Sequence, residues 1–278
     1  MREGSYAFIY DDIVNDRKYE RELAAIELRL TSLDIQGRVA RLSLFRSAKD
    51  LVESMVGHGV TTLVIFGNDR SLDKMMWFLP DMNVTVGYVP IAGPSDVASL
   101  LGIPIGVAAC DVLSARLVET VDMGRIDDRY FLTEISITGS TAAVDIEGRY
   151  RVSSLHRGTI SIRNLGRVHA EGQPQSDAKD GMLEVVIASG PEAVSRKRHA
   201  VEPAETRILI RSGEIISADP VDVRVDDHVL NGFHFSLGVA PSKLKFITGR
   251  SRKLAPLEVS LQKNVNRYTL PAATLSVR

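Results

Sequence analysis

The run Leu63 to Phe66, apolar throughout and stopped at Gly67, constrains the fold more than any other stretch of the chain. A short continuous apolar segment closed by glycine fits a strand buried on both faces, and such strands belong to parallel sheets covered by helices. Ser71 follows where a helix start is expected, so strand, tight turn and helix succeed one another. Turns of this kind suit anions, because glycine lets amide groups approach a phosphate and the next helix offers the positive end of its dipole. Asp69 stands at the mouth of this turn.

The flanking segments repeat the pattern. Tyr6 to Tyr10 suits a first buried strand, residues 16–33 place Leu23, Ile26, Leu30 and Leu33 on one helical face, and Val39 to Leu44 alternates as a second strand. Ser47 and Asp50 have capping-box spacing before a helix that buries Leu51, Val52, Met55 and Val56. A helix from Ser71 to about Leu79, a strand from Val84 to Val89 and a helix around 107–117 continue the alternation, which predicts a parallel sheet covered on both faces. Beyond residue 130 the texture changes. Short alternating runs at 141–146, 149–153, 157–163, 182–188, 206–211, 214–218, 221–225, 229–239 and 243–247 predict an antiparallel β-sandwich, with polar loops at 166–181 and 189–204. With 278 residues there is length for two cores: an α/β unit over 1–130, a sandwich over 131–255, and a tail at 256–278.

The central turn, Gly67-Asn68-Asp69-Arg70-Ser71, resembles the Gly-Gly-Asp-Gly-Thr turn of the diacylglycerol kinase catalytic-domain family, which includes bacterial and sphingosine-kinase-like lipid kinases and is distantly similar to NAD kinases. A second turn, Pro90-Ile91-Ala92-Gly93-Pro94-Ser95-Asp96-Val97-Ala98, resembles that family's Pro-Leu-Gly-Thr-Gly-Asn-Asp-Phe-Ala, and Leu101-Gly102-Ile103-Pro104 follows as in the family. Val121-Asp122-Met123-Gly124 resembles the passage between domains. Ala178 to Val185 matches Ala-x-x-Asp-Gly-x-Leu-x-Val, with Asn164 upstream, and Val225-Asp226-Asp227-His228 stands where the family has Val-Asp-Gly-Glu. In the family the C-terminal chain tends to return to the first domain, which is the expectation for 256–278.

The resemblance implies ATP- and magnesium-dependent phosphorylation of a lipid hydroxyl. Gly67, Asn68, Asp69, Arg70, Ser71, Gly93, Ser95 and Asp96 would then form the nucleotide side, Asp180 would act as general base, and Asp226 would hold metal. The chain also departs from the family. Asp11 and Asp12 replace an Asn-Pro turn and put negative charge where phosphates approach; Arg70 replaces a glycine and would cost ~1–2 kcal/mol if its φ were positive; Pro94 removes a donor; and His228 replaces a glutamate. Two readings follow: a remodelled pocket in which Arg70 contacts phosphate, or loops released from catalysis in a silent binding or regulatory protein. Phosphorylation of a soluble acceptor such as a nucleotide is a third, through the distant NAD-kinase similarity.

The other signals are weaker. Net charge is −1, which gives no general argument for nucleic-acid binding, although 14 basic against 19 acidic residues over 1–130 leave the basic excess in the second half. Arg196-Lys197-Arg198-His199, with Lys243, Lys245, Arg250, Arg252 and Lys253, reads first as solvated surface and second as a contact for anionic membrane, at ~1 kcal/mol per basic residue. Gly57-His58-Gly59 lacks the third glycine of a dinucleotide fingerprint and precedes a strand. His228 and His234 could share a strand face, but a zinc site needs a further ligand. Cys110 stands alone, which excludes an intrachain disulfide; with no signal-like apolar core at the start and no apolar run near ~20 residues, the expectation is a cytoplasmic protein, with self-association open.

Overall fold

The computed structural model describes residues 5–42, 47–139, 142–153, 158–168, 174–188 and 205–256. Strands β1 (Ser5–Tyr10), β2 (Gly37–Arg41), β3 (Val60–Gly67) and β4 (Thr85–Pro90) alternate with helices α1 (Glu20–Ser32), α2 (Ala48–Gly57), α3 (Asp69–Met76), α4 (Asp96–Leu100) and α5 (Ala109–Ala115). The four strands are parallel, in the order β2-β1-β3-β4. Both faces of β3 are covered, which is why Leu63 to Phe66 reads as an unbroken apolar run: all four residues are fully buried. Tyr10 stacks on Phe66 across the β1–β3 pair at 4.4 Å. Ser47 caps α2 through its side chain and the Asp50 amide, and the predicted face of α1 is turned inward, with Ile26 and Leu30 buried. Residues 43 and 44 of the second predicted strand lie outside the described residues.

The remaining strands are β5 (Leu117–Ile126), β6 (Arg129–Phe131), β7 (Glu134–Thr138), β8 (Ala143–Ile146), β9 (Tyr150–Ser153), β10 (Thr159–Arg163), β11 (Leu183–Ala188), β12 (Glu205–Ile210), β13 (Ser212–Val225) and β14 (His228–Thr248). They form the antiparallel sandwich. β13 pairs with β8 through Gly213 to Ile216 and with β7 through Arg224 and Val225, so one long strand serves both sheets. Its register breaks between Ile216 and Val221, the interval that holds Pro220, which has no ladder donor to offer. The sequence predicts two strands there; the structure has one interrupted strand. The same holds for β14, whose register with β5 breaks between Ala240 and Leu244, around Pro241.

Beyond that break β14 runs parallel to β4, pairing Lys245 with Thr85 and Phe246 with Val86. The α/β layer and the sandwich are thus joined by one hydrogen-bonded sheet. Two apolar cores flank the join: one contains Ile9, Leu63, Phe66, Tyr88 and Phe246, the other Ile135, Val144, Ile162, Val185 and Val223. Cys110 is buried in the first. No helix among the described residues is long and apolar enough to cross a membrane, a statement that does not bear on β-barrels. The tail from 257 onward and the loop 189–204, with Arg196, Lys197 and Arg198, lie outside the described residues.

Candidate functional site

A cleft of about 100 Å³ opens between the two cores, at the carboxyl ends of β3 and β4. Asp69, Asp73 and Met76 of α3, Asp96 and Val97 of α4, Leu132 and Thr133, Arg167, and Asp226 and Asp227 of the β13–β14 turn line it. Open α/β sheets place ligands at this edge.

Asn68 is the N-cap of α3. Its side chain accepts from the Ser71 amide at 3.1 Å while the Ser71 hydroxyl accepts from the Asn68 amide at 3.0 Å, a complete capping box. The helix therefore starts at Asp69, and Ser71, predicted as its start, is its third residue. Gly67 is required by closeness: a Cβ there would lie 2.1 Å from the Ser71 Oγ. Arg70 lies inside α3 and is absent from the positive-φ residues, so the strain expected of a non-glycine residue does not arise. Its Nε lies 3.2 Å from Asp227 Oδ2, across the cleft mouth.

Asp69 joins the two turns. Its carboxylate accepts from Tyr88 Oη at 3.1 Å, from the Ser95 hydroxyl, and from the Asp96 amide at 3.0 Å. Burial raises the Asp69 carboxyl above its ordinary value against these hydrogen bonds. Ser95 also caps α4 by accepting from the Ala98 amide at 2.9 Å. Gly93, with φ +117°, follows Ala92 at φ +76°, so the chain turns through left-handed backbone just before this cap. The Asp96 carboxylate lines the cleft and is exposed.

Asp11 is not an open negative charge. Only 3% exposed, it accepts from Lys74 Nζ at 2.8 and 3.0 Å. Burial would push its carboxyl up, but Lys74 and Ser71 outweigh it and hold it below the usual range. The expected repulsion of phosphate at this position is thereby neutralised for Asp11.

The sandwich side is built around Asp226. Its carboxylate accepts from the amides of Leu132, Thr133 and Glu134 at 2.9, 3.0 and 2.9 Å and from the Thr133 hydroxyl. Three of the four donors converge on Oδ1 and one meets Oδ2, which fixes the loop at the cleft wall. Asp180 sits in a turn before β11, accepts from the Met182 amide at 2.8 Å and is not a cleft-lining residue. Partial desolvation, with Asp177 and Asp122 nearby, raises its carboxyl. The turn is anchored by buried Asp122, which accepts from the Gly181 amide and the Ser242 amide, each at 2.7 Å. Asn164 is fully buried and donates to the Asp122 and Leu132 carbonyls at 2.8 and 2.9 Å, tying this turn to the cleft wall.

Sequence reasoning missed Asp73. Its side chain is 8% exposed, Oδ2 accepts from the Asp227 amide at 3.2 Å and lies 3.1 Å from His228 Nε2, and buried Oδ1 has no hydrogen-bond partner. Burial, followed by the charges of Asp226 and Asp227, pushes its carboxyl up to about 8. Burial lowers His228. The pair therefore keeps its proton on Asp73 beside a neutral imidazole. The available signal was spacing, since 69, 73 and 77 share one face of a helix. His228 packs on Trp77 at 4.0 Å, whereas His234 lies 3.2 Å from Glu214, so the two histidines serve different neighbours. Among the described residues no three or more His, Cys, Asp or Glu side chains are grouped to hold a metal ion.

Solved structures of the same architecture settle the fold. A solved diacylglycerol kinase from Bacillus anthracis str. Sterne superposes with a TM-score of 0.72, covering 90% of this chain and 99% of its own at 15% identity. The chain has the diacylglycerol kinase fold. A second structure from the same organism, described as a "putative diacylglycerol kinase", gives the same TM-score at 13% identity, covering 90% of this chain and 97% of its own. In sequence, a protein of Xanthomonas euvesicatoria pv. vesicatoria named "Probable lipid kinase YegS-like" is 22% identical over 253 residues, 71% of this chain and 82% of the relative. A protein of the same name from Xanthomonas oryzae pv. oryzae matches equally well. No protein-family model matches. The resemblance to the diacylglycerol kinase catalytic-domain family thus extends from the motifs to the whole diacylglycerol kinase fold.

Proposed function

We propose that the protein is a lipid kinase that transfers the terminal phosphoryl group of ATP to a lipid hydroxyl in the cleft. The observation that carries this reading is the Asp69 clamp, which binds the two strand-to-helix turns into one rim beneath the cleft, in a fold shared with diacylglycerol kinases. In this reading residues 1–130 provide the nucleotide side and 131–255 the acceptor side.

The capping box uses the Asn68 and Ser71 amides, and the helix leaves those of Asp69 and Arg70 without intrahelical partners, available to a phosphate together with the Arg70 guanidinium. Magnesium is commonly held by one or two carboxylates plus substrate phosphates. Asp96, whose carboxylate lines the cleft, fits that role in a site with no resident ligand cluster among the described residues. Bound there, the ion would neutralise charge developing on the phosphates. Asp180 is the proton acceptor that the family resemblance implies for this scheme; it stands outside the cleft lining, so the acceptor hydroxyl would have to reach past that lining to its turn, where burial raises its carboxyl. Asp122 and Asn164 hold its turn.

The test is radiolabel transfer from Mg-ATP to a total lipid extract, alongside calorimetric titration of Mg-ATP. We expect transfer by the wild type, and an Asp180→Asn variant that binds Mg-ATP unchanged yet transfers nothing. No binding of Mg-ATP at millimolar concentration by the wild type overturns the reading.

A further inference from the structure

We infer that the open edge of β2 takes an acidic, extended segment of a partner protein as an added strand. β2 ends the sheet and pairs with β1 alone among the described strands. The Leu42 amide donates inward to the Tyr10 carbonyl, so by the two-residue alternation of a strand the amides and carbonyls of Val39 and Arg41 point away from β1. They form a row of unused donors and acceptors beside a groove of about 370 Å³. The groove is lined by Arg38 to Arg41 of β2 and by one stripe of α2 and its C-cap, Leu51, Ser54, Met55 and His58.

Charge selects the occupant. Residues 1–130 carry 14 basic against 19 acidic side chains, yet no carboxylate lines this groove, whereas Arg38, Arg41 and His58 do. Arg41 donates to Asn15 at 2.6 Å, and the Arg38 guanidinium has no acidic partner among the described residues. Basic residues on an edge commonly serve to repel other strands. Here the repulsion is selective: a second copy of β2 would bring its own two arginines to the same edge, while an acidic strand would be attracted. Protection alone also leaves no use for Val39, 62% exposed on the face opposite Arg38, or for apolar Leu51 and Met55 in the groove. A strand alternating acidic and apolar residues answers both faces, with acids beside Arg38 and apolar side chains beside Val39. Strand addition of this kind draws affinity from the main chain and specificity from alternate side chains. The edge is at the far end of the β2-β1-β3-β4 order from β14, so the inference does not depend on what the cleft binds.

The probe is an end-capped, fluorescein-labelled octapeptide of alternating Val and Glu, titrated with the full chain by fluorescence anisotropy beside a counterpart with Lys for Glu. The expected result is saturable binding of the Glu peptide, at least ~10-fold tighter than that of the Lys peptide. Arg38→Glu should weaken it ~5-fold or more, the scale of an exposed ion pair turned to repulsion. Val39→Pro removes an outward donor and leaves the ladder with β1 intact, a position at which an edge strand tolerates proline, and should weaken binding ~10-fold. Its thermal transition checks the fold; if it does not fold, Arg38→Glu, at an exposed side chain, decides the matter. No saturable binding, equal affinity for the two peptides, or binding untouched by these variants overturns the inference. So does displacement of the peptide by inorganic phosphate at constant ionic strength, which would mark a small-anion site, or self-association of the chain that Val39→Pro removes, which would give the edge to a second copy.

Discussion

Replacing Asp73 by Asn should make the protein more stable at alkaline pH and leave it almost unchanged at acid pH. The Asp73 carboxyl is pushed from 3.8 up to about 8 by burial, then by Asp226 and Asp227. A folded-state value above the unfolded one means that the native protein holds a proton the unfolded chain gives up. That contribution is fully present below about pH 4 and is lost as pH rises through about 8. At ~1.4 kcal/mol per unit, the displacement sets an upper limit of ~5–6 kcal/mol on the cost of ionising this buried group. Relaxation and water entry lower it, and about 2–3 kcal/mol is the expected gain for Asp73→Asn at pH 9. The amide keeps an oxygen for the Asp227 N–H. For a chain of 278 residues the gain corresponds to a rise of ~3–5 °C in the melting temperature. Urea and thermal unfolding of both proteins at pH 5 and pH 9 measure it. An equal difference at both pH values, or a variant less stable at pH 9, would refute the argument that the carboxylate is strained by burial.

Three further substitutions test the turn chemistry. Asn68→Ala removes the side-chain N-cap of α3, the half of the capping box that accepts from the Ser71 amide, and should cost ~1 kcal/mol in urea unfolding. Lys74→Met leaves Asp11 buried without its cation; because Lys74 is half exposed the loss should be about 1–3 kcal/mol, and it should shrink as pH falls and Asp11 takes up a proton. Gly67→Ala drives a methyl to 2.1 Å from the Ser71 Oγ and should destabilise by ~1–3 kcal/mol, with Ser71→Ala in the same chain recovering part of it as measured by a double-mutant cycle.

The parts of the fold that were legible in the sequence are those set by local pattern. Burial on both faces wrote itself into Leu63 to Phe66, and the polar-apolar alternation after residue 130 marked the sandwich strands. The errors follow from tertiary geometry. Pro220 and Pro241 read as strand ends because each breaks a ladder, yet a strand bent through a register break serves two neighbours without ending. Arg70 read as strained only because a glycine was expected there, whereas the capping box advances the helix to Asp69 and gives Arg70 ordinary helical backbone. Asp11 read as repulsive because Lys74 lies 63 residues away, and no local pattern links them.

The candidate site shows the same limit in sharper form, and α3 explains it. Along this single helix the spacing of four separates Asp69, Asp73 and Trp77, and also Arg70 and Lys74. Members of both rows meet different parts of the chain: Asp69 reaches the β4–α4 turn, Lys74 reaches the end of β1, and Arg70, Asp73 and Trp77 reach the β13–β14 turn. The sequence displays the rows but not their partners, which lie up to 157 residues away. A helix that only packed on the sheet would need apolar residues on one face and nothing particular on the others. α3 instead carries a buried carboxylate, Asp73, whose removal is expected to stabilise the protein, at the point where both cores meet the cleft. Retaining that group is costly to the fold alone, which sets α3 apart from a helix kept only for its packing.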